Sequence, residues 1–169
     1  MPVLTYEPTW TTYEVQGRTL EEAARHIEQQ AEAGRTHWVT RWHVMERHED
    51  HTIKRAEVEV WLEITMPHWS GYDSATPAEK AEWDRFVQAL HDHEQGHIDV
   101  VREYTENADT MLEGLNDHDA AEAWKNNEAA LKQASDHYDT GNDHGRNAGT
   151  TITAPGADDS EGSESESEE

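Results

Sequence analysis

The sequence predicts an α+β domain in which a small antiparallel sheet packs against one long helix, followed by a disordered acidic tail. Three observations carry that prediction. The run "TIKRAEVEVWLEITM" alternates apolar and polar residues with period two, as a strand with one dry face does. The stretch "TPAEKAEWDRFVQALHDHEQGHIDVVREY" repeats its apolar residues at helical spacing. The last residues, "DDSEGSESESEE", offer nothing to bury. A length of 169 residues suits one domain, placed at residues 1–152, with the tail at 153–169.

Each element has its own signal. "TYEVQ" reads as a short strand over Thr12–Gln16, closed by Gly17. Thr19 is an N-cap for a helix that runs to a C-cap at Gly34, with Leu20, Ala23, Ala24, Ile27 and Ala31 as its apolar stripe. "THWVTRWHVMER" is rich in β-branched and aromatic residues and precedes the alternating run. There Ala56, Val58, Val60, Leu62, Ile64 and Met66 share one face, and Arg55, Glu57, Glu59, Trp61 and Glu63 share the other. The short polar link "HEDHT" favours an antiparallel hairpin whose dry face awaits a helix. "PHWSGYDSATP" reads as a loop. Thr76, Pro77 and Glu79 then form an N-cap, N1 proline and capping-box set for a helix reaching about Leu115. A third helix is expected over Ala120–Ser135, broken by Gly and Asn in "HYDTGNDHGRNAG".

Composition removes several function classes. There is no cysteine, so disulfides, thiolate metal sites and cysteine nucleophiles are excluded, and any metal must be held by His, Asp or Glu. With 13 bases against 37 acids and a net charge of -24, nucleic-acid binding through a basic face is not expected. The acid excess extends well beyond the tail, and only four of the bases are Lys. Such a surface suits high salt, where self-repulsion is screened, and a halophilic source is expected. No apolar run approaches a membrane span, and "MPVLTYEPTW" lacks the charged and apolar regions of a signal peptide. The corresponding expectation is a soluble protein, either cytoplasmic or exported by a route that this stretch does not show.

The chemistry centres on "HEQGH", His93 to His97. A random arrangement of 12 His and 24 Glu yields H-E-x-x-H about 0.1 times, so context decides its meaning. Phe86, Leu90, His93, His97, Val101 and Tyr104 fall on one helical stripe, which turns both histidines toward the interior. Two His at i and i+4 can ligate one Zn²⁺, and Glu94, turned about 100° around the helix, lies beside the metal rather than on it. There it serves as general base toward a water that zinc activates, then as general acid to a leaving amine. Gly96 costs about 1 kcal/mol relative to Ala in mid-helix, and close approach of another segment or of a substrate is one reason to keep it.

A catalytic zinc needs a third protein ligand and an open position. "YDTGNDHG" offers His144 and Asp139 in a Gly-rich loop. His144 is the favoured ligand. Asp139 is either the alternative ligand or the acceptor for a ligand histidine's N–H. Tyr138 is a candidate donor to a developing oxyanion, with plain packing as the alternative. His91 and Asp92 read as solvated.

The combination resembles a bacterial and archaeal family of predicted, often secreted, Zn-dependent proteases. Pro67, Trp69, Trp83, His93, Glu94, His97, Tyr138, Asp139, His144 and Gly145 carry the resemblance, with "YEVQG" (Tyr13 to Gly17) matching the family's opening. Asn142 stands where the family has Thr, and the signal peptide of many members is missing. The resemblance implies a zincin-like domain, a zinc cofactor and a peptide or protein substrate. The function expected is therefore zinc-dependent peptide hydrolysis, with Glu94 as base. The alternatives are a non-catalytic module whose zinc site is closed by a fourth ligand such as Asp139, and a metal-free acidic interaction protein.

Overall fold

The computed structural model describes residues 3–146 and 149–153. In chain order the elements are β1 (Val3–Thr5), β2 (Thr9–Val15), α1 (Leu20–Glu28), β3 (Arg35–Arg47), β4 (Ile53–Trp69), a 3-10 turn (Tyr72–Ser74), α2 (Pro77–Thr105), α3 (Ala108–Leu112) and α4 (Asp117–Gly141). The acidic tail expected from 153 onward lies, from residue 154, outside the described residues.

The 17-residue β4 is the centre of the sheet. Its alternation is realised: Ala56, Val58, Val60, Leu62, Ile64 and Met66 are all buried on one face. β3 pairs with it antiparallel, matching Trp42 to Val58, Trp38 to Leu62 and Thr36 to Ile64 on that same face. The hairpin turns at His48–Thr52, where the Asp50 carboxylate accepts from the Thr52 N–H and hydroxyl at 3.1 and 2.6 Å.

The sheet is mixed rather than wholly antiparallel. β1 and β2 both run parallel to β4 along its other edge. The segment holding α1 carries the chain from that edge across to β3, and this crossover lets a non-hairpin partner pair in the parallel sense.

Other expectations shift at element ends, where tertiary contacts override local preference. α1 stops at Glu28 instead of reaching Gly34, because the next residues must run out toward β3. There the Tyr13 hydroxyl donates to the Ala33 carbonyl at 2.8 Å. "PHW" is strand, not loop: β4 continues to Trp69, whose indole N–H donates to the Gly17 carbonyl at 2.7 Å. The motif helix ends at Thr105, not Leu115. The Thr105 hydroxyl donates back to the Val101 carbonyl at 2.8 Å, a bond that competes with the helix ladder, and α3 follows after a two-residue break.

α2 starts as expected, with the reciprocal capping box of Thr76 and Glu79. Glu79 does more than cap. Its carboxylate also accepts from the Leu20 N–H at 3.0 Å, tying the start of α1 to the start of α2. Trp83, Phe86, Leu90, Ile98 and Val101 of α2 are buried in the core shared with the sheet. α4 starts earlier and ends later than predicted, and runs antiparallel to β3. Arg47 pairs with Asp117 at 2.7 Å, Trp42 meets Trp124 at 6.4 Å between ring centres, and the Thr40 hydroxyl donates to Glu128 at 2.9 Å. No helix among the described residues is long and apolar enough to cross a membrane.

Hydrogen bonds from Leu20 and Thr76 hold the Glu79 carboxyl below the usual carboxylate range. A lowered folded pKa means that its contribution is complete above the ordinary carboxylate pKa and is lost as pH falls through the lowered value. Glu79→Gln is therefore expected to lower the urea midpoint at neutral pH, and to lose less stability on acidification than the parent. Equal losses for the two proteins in acid would contradict this.

Candidate metal centre

His93 and His97 lie one turn apart on the buried face of α2, and the last turns of α4 pass in front of them. Asp139 Oδ1 stands 3.1 Å from His93 Nε2 and 2.9 Å from His97 Nε2. These three residues each offer one ligand atom, all within 4.8 Å of one another. Ser135, one helical turn before Asp139, places its Oγ 2.8 Å from His97 Nδ1. One face of α4 thus addresses both imidazoles.

The donor set fits a divalent metal. Two imidazole nitrogens and one carboxylate oxygen form a set that zinc accepts. Tetrahedral ligands at ~2.0–2.1 Å lie about 3.3 Å apart, close to the separations found here. Burial and the neighbouring His97 push the His93 pKa below its ordinary value, which favours the neutral imidazole that a metal requires. His93 Nδ1 is buried without a hydrogen-bond partner among the described residues.

Glu94 is 3% exposed. The Thr36 hydroxyl donates to its Oε2 at 2.7 Å. Its Oε1 backs onto Gly34, where a Cβ would stand 2.8 Å away. Burial pushes the Glu94 pKa up, against the opposing effect of the Thr36 hydrogen bond. A carboxylate raised in this way is a better proton acceptor near neutrality than an exposed one. The sequence assigns neither Thr36 nor Ser135 to the site, and it gives Gly34 only the role of a helix C-cap. Thr36 sits in phase with the dry face of β3, and Ser135 precedes Asp139 at i,i+4, but neither spacing identifies a partner on another element.

Tyr138 and Asp139 belong to the last turn of α4, not to a loop. The Tyr138 ring stacks on His93 at 5.1 Å and meets His97 edge-on at 4.9 Å. Its hydroxyl lies over Gly96, where a Cβ would come within 2.0 Å of it. This is the close approach that the mid-helix glycine implied. Tyr138, offered from the sequence as a candidate oxyanion donor, is not among the residues that line the cleft described next.

That cleft, about 210 Å³, opens between the start of β3 and the two helices, and Glu94, His93, His97 and Asp139 all face it. His144 lines it too but stands outside the three-residue cluster. It is exposed and follows α4 in a turn where Asp143, His144 and Gly145 all have positive φ, at 48°, 53° and 82°. Two successive non-glycine residues in that region mark a geometry that the surroundings enforce. The His144 N–H donates to the Asp139 carbonyl at 2.7 Å, and a Cβ on Gly145 would stand 3.2 Å from His93 Cγ. His91, read as solvated, instead stacks on Trp10 at 4.7 Å.

Gly96→Ala tests the helix contact. Helix propensity alone favours Ala by about 1 kcal/mol. Overpacking against the Tyr138 ring costs about 1–3 kcal/mol. A net loss of stability is expected in urea titration, and a net gain would show that Tyr138 yields freely.

No curated protein and no solved structure matches the chain at a significant level. A family model described as "Bacterial protein of unknown function (DUF922)" matches residues 10–145, a span that contains every residue of the cluster, Glu94, Tyr138 and the His144–Gly145 turn. The chain belongs to this DUF922 family of bacterial proteins.

Proposed function

We propose that the protein is a zinc-dependent metallopeptidase. One observation carries the reading: the Nε2 atoms of His93 and His97 converge with Asp139 Oδ1 beside a buried carboxylate, Glu94, on an open cleft. In this reading His93, His97 and Asp139 hold the metal. The Ser135 hydroxyl accepts from His97 Nδ1–H and so leaves Nε2 its lone pair. Bound zinc supplies Lewis acidity and lowers the pKa of water.

The remaining steps belong to the chain. The Glu94 carboxylate takes a proton from the attacking water as the carbon–oxygen bond forms. It then delivers that proton to the departing amine nitrogen as the carbon–nitrogen bond breaks. Thr36 fixes the rotamer of Glu94 for both transfers. Tyr138 braces both imidazoles through its ring.

A second reading rests on His144, which lines the same cleft. If it closes the coordination sphere, the centre is structural and pins α2 to the end of α4. The readings separate experimentally. For a peptidase, Glu94→Gln lowers kcat/KM on an unstructured peptide by about 10²–10⁴-fold while zinc stoichiometry stays the same. Asp139→Ala loses zinc, Ser135→Ala weakens it by about 10–100-fold, and His144→Ala leaves affinity nearly unchanged. Full activity in Glu94→Gln would overturn the mechanism. A loss of zinc in His144→Ala as large as in Asp139→Ala would favour the closed site.

The acid-rich, Lys-poor composition further supports adaptation to high salt. The melting temperature is expected to rise steeply between dilute buffer and molar salt, and a flat profile would refute that reading.

A further inference from the structure

A second, larger cavity of about 530 Å³ adjoins the cleft. The two share Glu32 and Ala33, so the turn after α1 is a common wall. The second cavity takes apolar groups from four places, Ala24 and Ile27 of α1, Ala31 of the turn, Phe86 of α2 and Ile152 near the end of the described chain, beside polar groups such as Glu28, Gln30 and Arg146. Phe86 is fully buried.

The far wall is tied in place. The Arg85 guanidinium donates to the Gly149 and Thr151 carbonyls at 2.8 and 2.5 Å. Glu82 pairs with Arg85 at 2.7 Å and accepts from the Thr153 N–H at 2.7 Å. The Gly149–Thr153 segment, anchored to α2 in this way, forms one wall of the cavity, and α1 forms another. A chain with mean hydropathy of -1.04 and net charge of -24 has little apolar surface to spare. Here it gathers these apolar side chains in one concavity of mixed lining, of a size typical for ligand pockets, against the proposed reaction cleft.

We infer that this cavity is a specificity subsite that takes a bulky apolar side chain flanking the bond presented to the cleft. The inference rests on the peptidase reading for the identity of the ligand. The continuity through Glu32 and Ala33 selects a substrate side chain as occupant, because a peptide lying in the cleft meets this cavity across a single turn of chain.

The test uses the full chain carrying Glu94→Gln, loaded with zinc, so that binding is read without turnover. The probes are acetylated, amidated hexapeptides in which each position in turn is Leu or Gly, measured by calorimetry. Leu at one position is expected to tighten binding by at least about tenfold. Ala24→Trp, and independently Ala31→Trp, fills the cavity and erases that preference with zinc affinity unchanged. The second variant covers the case in which the first does not fold. Absence of any positional Leu preference, or a preference that survives both tryptophans, overturns the subsite. Leu-dependent binding to a parent protein that hydrolyses none of the peptides supports the subsite and overturns the peptidase. Hydrolysis without Leu preference does the reverse.

Discussion

A missing side chain sets the distance between the two long helices. At Gly96 the Tyr138 hydroxyl occupies the volume that any Cβ would need. α4 can therefore lie against the motif face of α2 closely enough for Asp139 to reach two imidazoles with one oxygen and for Ser135 to meet a third ring nitrogen. Move α4 out by one methyl group and these contacts lengthen together, because they project from a single rigid helix. The glycine weakens α2 locally, and the capping box and the buried stripe around it offset that cost.

The site places buried polar groups beside the core. His93, Glu94, His97 and Ser135 are buried among Leu90, Ile98 and the inner face of the sheet. Burial of this kind is tolerated when partners are supplied. The partners come from two separate elements: Thr36 from β3, Ser135 and Asp139 from α4. The sheet thus does more than cover a helix, since its edge strand supplies the hydroxyl that orients the proposed base. The same strand begins immediately after Gly34, which leaves room for the Glu94 carboxylate.

Much of this was legible in advance where the signal was local. The alternation of β4, the Thr76–Glu79 cap and the inward phase of His93 and His97 are each properties of a short window, and each appears in the structure as read. The errors fall where two segments meet. The parallel pairing of β1 and β2 depends on how α1 crosses the sheet, which no periodicity records. "YDTGNDHG" looked like a loop because of its glycines and Asn142. Helix α4 nevertheless runs through Gly141, because Tyr138 packs on α2 and stabilises its last turn. That difference moves Asp139 from a flexible segment to a rigid one and places it, rather than His144, within the ligand cluster.

The sequence by itself determined which residues are candidates for chemistry and which faces are dry, because side-chain type and helical or strand phase are local quantities. It also determined that any metal here is held by nitrogen and oxygen, since the chain has no cysteine. Only the tertiary structure decided which of the candidate residues gather within bonding reach, that Thr36 and Ser135 belong with them, and that Tyr138 braces the histidines. Those facts depend on distances of a few ångströms between segments some 40 to 60 residues apart. Such distances follow from the packing of α4 on α2 and of β3 beside both, not from any spacing along the chain.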